Sequence, residues 1–225
     1  MGFMQLLAFD TSLAACSVAL WRDGSIAASV SLPMVKGQAE ALVPLILRVC
    51  ADAGTELSDV NAVGVTRGPG TFTGVRIGLA TARGLGLANA CPVIGVSTLV
   101  AIAATAALPP ELGDTLVVQD ARRGEVYVEL IDGASGVGGS PMVLALDNLA
   151  ATFLARPLQL VGSGAALAAS RLTGNVALAA GTVLPDPARV AALAAAQLEV
   201  DGAGVFAVPP RPLYLRAPDA KLPTQ

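Results

Sequence analysis

The sequence predicts an α/β protein in two halves, each built on a mixed β-sheet covered by helices. Three observations carry that expectation. The first half reads as hairpin, helix, strand, helix, strand, an order that sets parallel strands beside an antiparallel pair under helical cover. Pro109-Pro110 interrupts the chain near its middle, and the second half opens, like the first, on a hairpin. The division is therefore placed between residues 1–108 and a smaller unit of residues 109–225.

Each element has a local reason. Gln5 to Phe9 is a short apolar strand ending in the turn Asp10-Thr11-Ser12. Cys16 to Trp21 and Ile26 to Ser31 flank Arg22-Asp23-Gly24-Ser25, a hairpin turn signal. Gln38 to Ala53 carries Leu42, Leu45, Ile46 and Val49 at the spacing of an amphipathic helix, with Gly54 suited to cap it. Ala62 to Thr66 is a strand and Arg67 to Phe72 a Gly/Pro loop. A long helix over Thr73 to Ala90, a strand over Val93 to Val96 and a helix from about Thr98 to Leu108 complete this half.

In the second half, strands over Thr115 to Gln119 and Glu125 to Ile131 meet around Ala121-Arg122-Arg123-Gly124. A weak helix near Asp147 to Leu154 and a strand over Leu158 to Val161 follow. The strand runs into Gly162-Ser163-Gly164. Pro187 stands at a first helical turn, and that helix runs to about Val200. No sequence repeat is strong enough to assert.

Composition removes several function classes. The chain is 54% hydrophobic and 14% charged, with mean hydropathy +0.66. The uncharged run from Gly84 to Pro110 exceeds the roughly 20 residues that span a bilayer. Its Ala, Gly and small polar content, with Asn89 and Pro92 inside it, reads instead as helix end, buried strand and new helix. No basic region precedes the short apolar run Leu6 to Phe9, so a secretory signal is not expected. Cys16, Cys50 and Cys91 are distant and odd in number, which suits buried apolar residues in a reducing cytoplasm. Net charge is −3, with no overall pull towards nucleic acid. There is no histidine, so Ser-His-Asp and Cys-His catalysis and imidazole-based metal sites are excluded.

Three segments could carry binding. Arg67-Gly68-Pro69-Gly70-Thr71-Phe72-Thr73-Gly74-Val75-Arg76-Ile77-Gly78 joins a strand to a helix. Gly68, Gly70, Thr71, Thr73 and Gly74 would present amides and hydroxyls at a helix N-terminus, where an anion is favoured. A tight, closely packed turn needs the same residues. Asp10, Thr11 and Ser12 could likewise hold hydrated magnesium and face a phosphate, or simply form an Asx or ST turn. Asp120-Ala-Arg122-Arg123-Gly124-Glu125 is either a solvated hairpin tip or an arginine contact to an anion or partner. Along the long helix, Gly74, Gly78, Ala82, Gly86 and Ala90 place a small residue at every fourth position, which lets another helix approach. Arg76 and Arg83 oppose a transmembrane reading of that stripe.

These residues resemble the TsaB family, also called YeaZ. The likeness rests on Leu7-Ala-Phe-Asp10-Thr11-Ser12 with Cys16 to Leu20, and above all on Arg67 to Gly78. Val93 to Leu99, Asp120 to Tyr127 and Pro212-Leu-Tyr-Leu-Arg216 extend it over most of the chain. The resemblance implies an actin-like, ribonuclease H-like (ASKHA) fold of two related lobes. It implies a non-catalytic subunit of the bacterial apparatus that forms tRNA threonylcarbamoyladenosine, paired with a TsaD-type paralogue and joined by a TsaE-type ATPase. A homodimer is expected when the chain is alone, and tRNA is reached through the complex. The implied partner surface is the first two helices, here through Leu42, Leu45, Ile46, Val49, Arg76, Leu79, Ala82 and Arg83. The TsaD-type metal pair would fall at Thr98 and Ile102, neither of which can serve. Gln38 stands where many members have histidine. No cofactor is required of this subunit, with ATP or ADP and magnesium as an option. The competing function is an ATP-dependent phosphotransferase of the same superfamily, favoured by Asp10 and the two Gly-rich turns. The glycoprotease activity once attached to the superfamily lacks its histidines here.

Overall fold

A computed structural model describes residues 4–106, 108, 113–153, 157–172, 174, 176–179 and 184–216. The first lobe contains β1 (Gln5–Asp10), β2 (Ala15–Arg22), β3 (Ser25–Pro33), α1 (Gln38–Asp52), β4 (Ala62–Thr66), α2 (Phe72–Ala88), β5 (Val93–Val96) and α3 (Thr98–Ala106). The second contains β6 (Asp114–Arg122), β7 (Glu125–Ile131), β8 (Met142–Ala145), α4 (Leu149–Thr152), β9 (Leu158–Val161), α5 (Ala165–Ala169), β10 (Val176–Leu178) and α6 (Pro187–Asp201).

The first sheet has the order β3-β2-β1-β4-β5, and the second, read from its other edge, β8-β7-β6-β9-β10. In both, three antiparallel strands are followed by two parallel ones. The two lobes thus repeat one βββαβαβα unit, the duplicated actin-like architecture, although no repeat is readable in the sequence. β1 is central and buried from Leu6 to Asp10, as expected of a strand covered on both faces. Its Leu7 and Phe9 side meets Leu42, Ile46, Val49, Val75 and Leu79 from α1 and α2. α1 ends as its sequence suggested: Gly54 adopts φ +61°, its amide donates to the Ala51 carbonyl, and the Thr55 amide donates to that of Cys50. Asp186 caps α6 through Oδ1 to the Ala188 amide at 2.8 Å, with Pro187 following at the first helical position.

The last helix of each half does not pack on that half's own sheet. α6 lies on the first sheet, where Val190, Ala191, Ala194 and Ala195 meet Leu6, Ala8, Ala62, Ile94 and Val96. Conversely, Leu99 and Ile102 of α3 pack with Val117, Ile131 and Val161 of the second sheet. Each lobe's last helix therefore covers the other lobe's sheet. Gly64 on β4 makes this possible, because a Cβ there would sit 2.8 Å from that of Ala194.

Other departures are local. The weak helix is a 3-10 turn over Leu146–Asn148 followed by the single turn of α4; Leu154 lies outside the described residues, as does the Pro109-Pro110 boundary. The short β8, α5 and β10 carry too little periodicity to announce themselves. The uncharged run is divided among the end of α2, β5 and α3, and among the described residues no helix is long and apolar enough to cross a membrane.

Overpacking the α6 contact tests the exchange. Ala194→Leu should lower stability by about 1–3 kcal/mol in denaturant unfolding, whereas Ala196→Leu, on the exposed side of the same helix, should change it little.

Candidate functional site

The Asp10-Thr11-Ser12 turn is an internal structure. Asp10, Thr11 and Ser12 are 0%, 1% and 0% exposed. Asp10 Oδ1 accepts from the Ser12 amide at 3.0 Å, from Ser12 Oγ and from Thr66 Oγ1. Burial pushes the Asp10 carboxyl above its ordinary range, opposed by the hydrogen bonds from Ser12 and Thr66. Its Oδ2 has no partner, but no part of the residue reaches solvent. ATP or ADP with magnesium therefore does not fit at this carboxylate in the observed conformation. Among the described residues no three His, Cys, Asp or Glu side chains gather as a metal site. Thr98 and Ile102 are both fully buried, and Thr98 Oγ1 donates to Ser12 Oγ at 3.3 Å.

The Gly-rich segment closes over this turn. The Thr71 amide donates to the Ser12 carbonyl at 2.8 Å, and the Thr98 amide to that of Gly68 at 2.9 Å. Thr71 caps α2 by accepting from the Gly74 amide at 3.1 Å, while Thr73 is exposed on the first turn. Gly74 admits the turn itself: a Cβ there would lie 2.0 Å from the Thr11 carbonyl oxygen, and Thr11 Oγ1 donates to the Gly74 carbonyl at 2.7 Å. A Cβ at Gly78 would meet Thr11 Oγ1 at 2.9 Å, and one at Gly86 would meet Val93 Cγ2 at 2.4 Å. The small-residue stripe thus seats α2 on this chain's own β1–β2 turn and β5.

That packing corrects the expected partner surface. Leu42, Leu45, Ile46, Val49, Leu79 and Ala82 all lie in the first lobe's core. Only Arg76 and Arg83 of the proposed set are exposed. The helices instead turn outward Val43 (49% exposed), Leu47 (52%) and Leu87 (85%), beside Ala80, Gly84 and Ala88. Val43 and Leu47 stand one turn apart beside the core stripe, a pattern visible in the sequence but outweighed there by the stronger inward one.

The second edge of α2 is occupied by residues 209–216, which the sequence marked only as a terminal signature. The Leu213 amide donates to the Arg67 carbonyl at 2.7 Å, and Arg83 Nη2 donates to the Pro210 carbonyl at 2.7 Å. Arg76 Nε donates to Tyr214 Oη at 2.8 Å, with its guanidinium 3.6 Å from the Phe72 ring centre and Phe72 stacked on Tyr214. Arg216 then pairs with Glu125 and donates to the Arg122 carbonyl at 3.4 Å, so this segment ties α2 to the second lobe's hairpin. Between the lobes lies a cleft of about 410 Å³ lined by Leu13, Gly70, Thr71, Gln119, Arg122 and Ser163, among others. Elsewhere, Ser97 Oγ donates to Glu129 Oε2 at 2.7 Å; burial raises the Glu129 carboxyl, partly offset by Ser97 and nearby Arg67. Gln38 is structural, its Nε2 donating to the Met34 carbonyl at 3.2 Å.

Comparison with known proteins places this geometry. The family model described as TsaD, tRNA N6-adenosine threonylcarbamoyltransferase, matches residues 34–135. The Escherichia coli tRNA threonylcarbamoyladenosine biosynthesis protein TsaB is 44% identical over 124 residues, which is 55% of this chain and 53% of that protein. The match thus spans about half the length of that relative. An uncharacterised Mycobacterium tuberculosis (H37Rv) protein is 39% identical over 96% of this chain and 93% of its own. The solved structure described as YeaZ from Pseudomonas aeruginosa superposes with TM-score 0.78 at 31% identity, covering 94% of this chain and all of that one. A second P. aeruginosa structure, described as having similarity to peptidase YEAZ, gives TM-score 0.83 at 32% identity over 95% of this chain and all of that one.

Two expectations follow from the site's packing. Gly74→Ala should lower stability by about 3 kcal/mol or more, since backbone must move, while Gly84→Ala, where an added Cβ meets nothing, should gain about 0.5–1 kcal/mol. Glu129, whose carboxyl is raised on folding, contributes stability below its ordinary value of 4.5 and loses it as pH rises through the raised value. Thermal midpoints from about pH 4 to pH 8 should therefore fall more for the wild type than for Glu129→Gln, which keeps the Ser97 hydrogen bond.

Proposed function

The chain belongs to the TsaB (YeaZ) family, and on that premise we propose that it is a non-catalytic docking subunit in tRNA threonylcarbamoyladenosine formation. Its partner in this reading is a TsaD-type transferase, with a TsaE-type ATPase joining them in the cytoplasm. The observation that carries the reading is the exposed apolar face of α1 and α2. Val43, Leu47 and Leu87 are 49%, 52% and 85% exposed, and large apolar side chains left in solvent on neighbouring helices are what an apolar partner would bury. Ala80 and Gly84 beside them keep that face low, so a partner helix can approach closely. In this reading the same face would also meet a second copy when the chain is alone.

Two further features support a role without chemistry of its own. A chain with no histidine offers neither an imidazole base nor the metal pair expected of the TsaD-type relative. The sealed Asp10 carboxyl weighs against the phosphotransferase alternative, which needs that group at a phosphate. The peptidase reading lacks a histidine-activated nucleophile.

Co-purification with the TsaD-type paralogue tests the docking face. Leu47→Glu and Leu87→Glu should each weaken capture roughly 30-fold, the loss typical of a hot-spot residue, with thermal midpoints close to wild type. Undiminished capture by the double variant would remove this face from the interface. Leu79 and Ala82 are unsuitable probes, because both are core residues.

A further inference from the structure

The outward surface of α2 has two edges of different chemistry. At 100° per residue, Arg76, Arg83 and Leu87 stand near Phe72 on one edge, while Thr73, Gly84 and Ala88 stand on the other. The C-terminal segment lies along the arginine edge, through Arg83 to Pro210 and Tyr214 to Arg76, and carries the exposed Arg211 between those two contacts. No Asp or Glu occurs from Val60 to Pro110 or from Gly202 to Pro218, so α2 and this segment form a cationic strip in a chain of net charge −3. Among the described residues, neither Arg76, Arg83 nor Arg211 pairs with a carboxylate. At one end of the strip, Phe72 (56% exposed) and Tyr214 (47%) form a stacked pair fixed by the Arg76 guanidinium.

Spaced guanidinium groups beside a pre-ordered, half-exposed aromatic stack match an unpaired nucleic-acid strand: arginines meet phosphates, and a splayed base stacks on the ring. An apolar protein partner would be met better by the α1 edge. We propose that the strip of Arg76, Arg83 and Arg211, with the Phe72–Tyr214 stack, is a direct contact surface for a single-stranded RNA loop. This inference rests on the tRNA-modification reading and deepens it, giving the subunit an RNA contact of its own.

The test uses the full chain, alone and bound to its TsaD-type partner, titrated with a labelled RNA hairpin bearing an unpaired loop and with a fully paired RNA duplex. Arg83→Ala/Arg211→Ala should weaken hairpin binding about tenfold and flatten its salt dependence by about 1.4 in log–log slope, near 0.7 for each lost phosphate contact. Tyr214→Ser should weaken the hairpin at least about fivefold and the duplex much less, with Tyr214→Phe retaining affinity, since stacking needs only the ring. All of these variants should still capture the partner. Hairpin affinity unchanged in both the arginine and Tyr214→Ser variants, or no hairpin binding by chain or complex, would overturn the inference while leaving the docking reading intact. Loss of partner capture with RNA affinity retained would make the strip a protein interface and also overturn it. The docking reading fails separately, through the Leu47 variant on α1.

Discussion

The structure depends most on the contact between the Thr11 turn and the first two turns of α2. A carbonyl oxygen approaches Gly74 so closely that no side chain fits between them, and the Thr11 hydroxyl holds the Gly74 carbonyl. Because Gly78 continues the same contact, α2 has a single rotational setting. That setting turns Val75, Leu79 and Ala82 into the core and leaves Arg76, Ala80, Arg83 and Leu87 outside. The residues available to a partner are thus chosen by an inward packing constraint. The same closure seals Asp10, which becomes part of the scaffold through Ser12 and Thr66.

A second constraint fixes the lobes to each other. α3 and α6 lie between the sheets, each covering the sheet of the opposite lobe, so the lobes share their cores. Polar contacts at two further points follow the same line. Ser97 reaches the buried Glu129 from the start of α3, and Arg216 reaches Glu125 from the segment lying on α2. The surface built on α2 is therefore coupled mechanically to the second lobe, although the helix itself belongs to the first.

Much of the fold was legible because the strong signals are local. The apolar spacing of α1, the hairpin turns, the Gly54 ending and Pro187 each reflect chemistry within a few residues of the position concerned. The helix exchange was not legible, since nothing in Val190 or Ala194 states which sheet it will cover. The helices of the expected surface are legible in the sequence, but the faces they turn outward are not. Leu42, Leu45 and Ile46 announce burial without saying against what, and this chain's own sheet claims them. The glycine stripe asked for a close neighbour, and the neighbour is a turn more than sixty residues earlier in the chain. The Phe72–Arg76–Tyr214 cluster joins segments far apart in sequence, so only the folded chain displays it.

The central claim is that this chain supports a modification it does not catalyse, through the outer face of α1 and α2. Its most direct test is reconstituted tRNA modification with the TsaD-type transferase, the TsaE-type ATPase and the enzyme that supplies the carbamoyl donor. The account predicts that threonylcarbamoyladenosine appears only when this chain is present, and is lost with Leu47→Glu/Leu87→Glu although that protein is folded. Full modification with the chain omitted would contradict it.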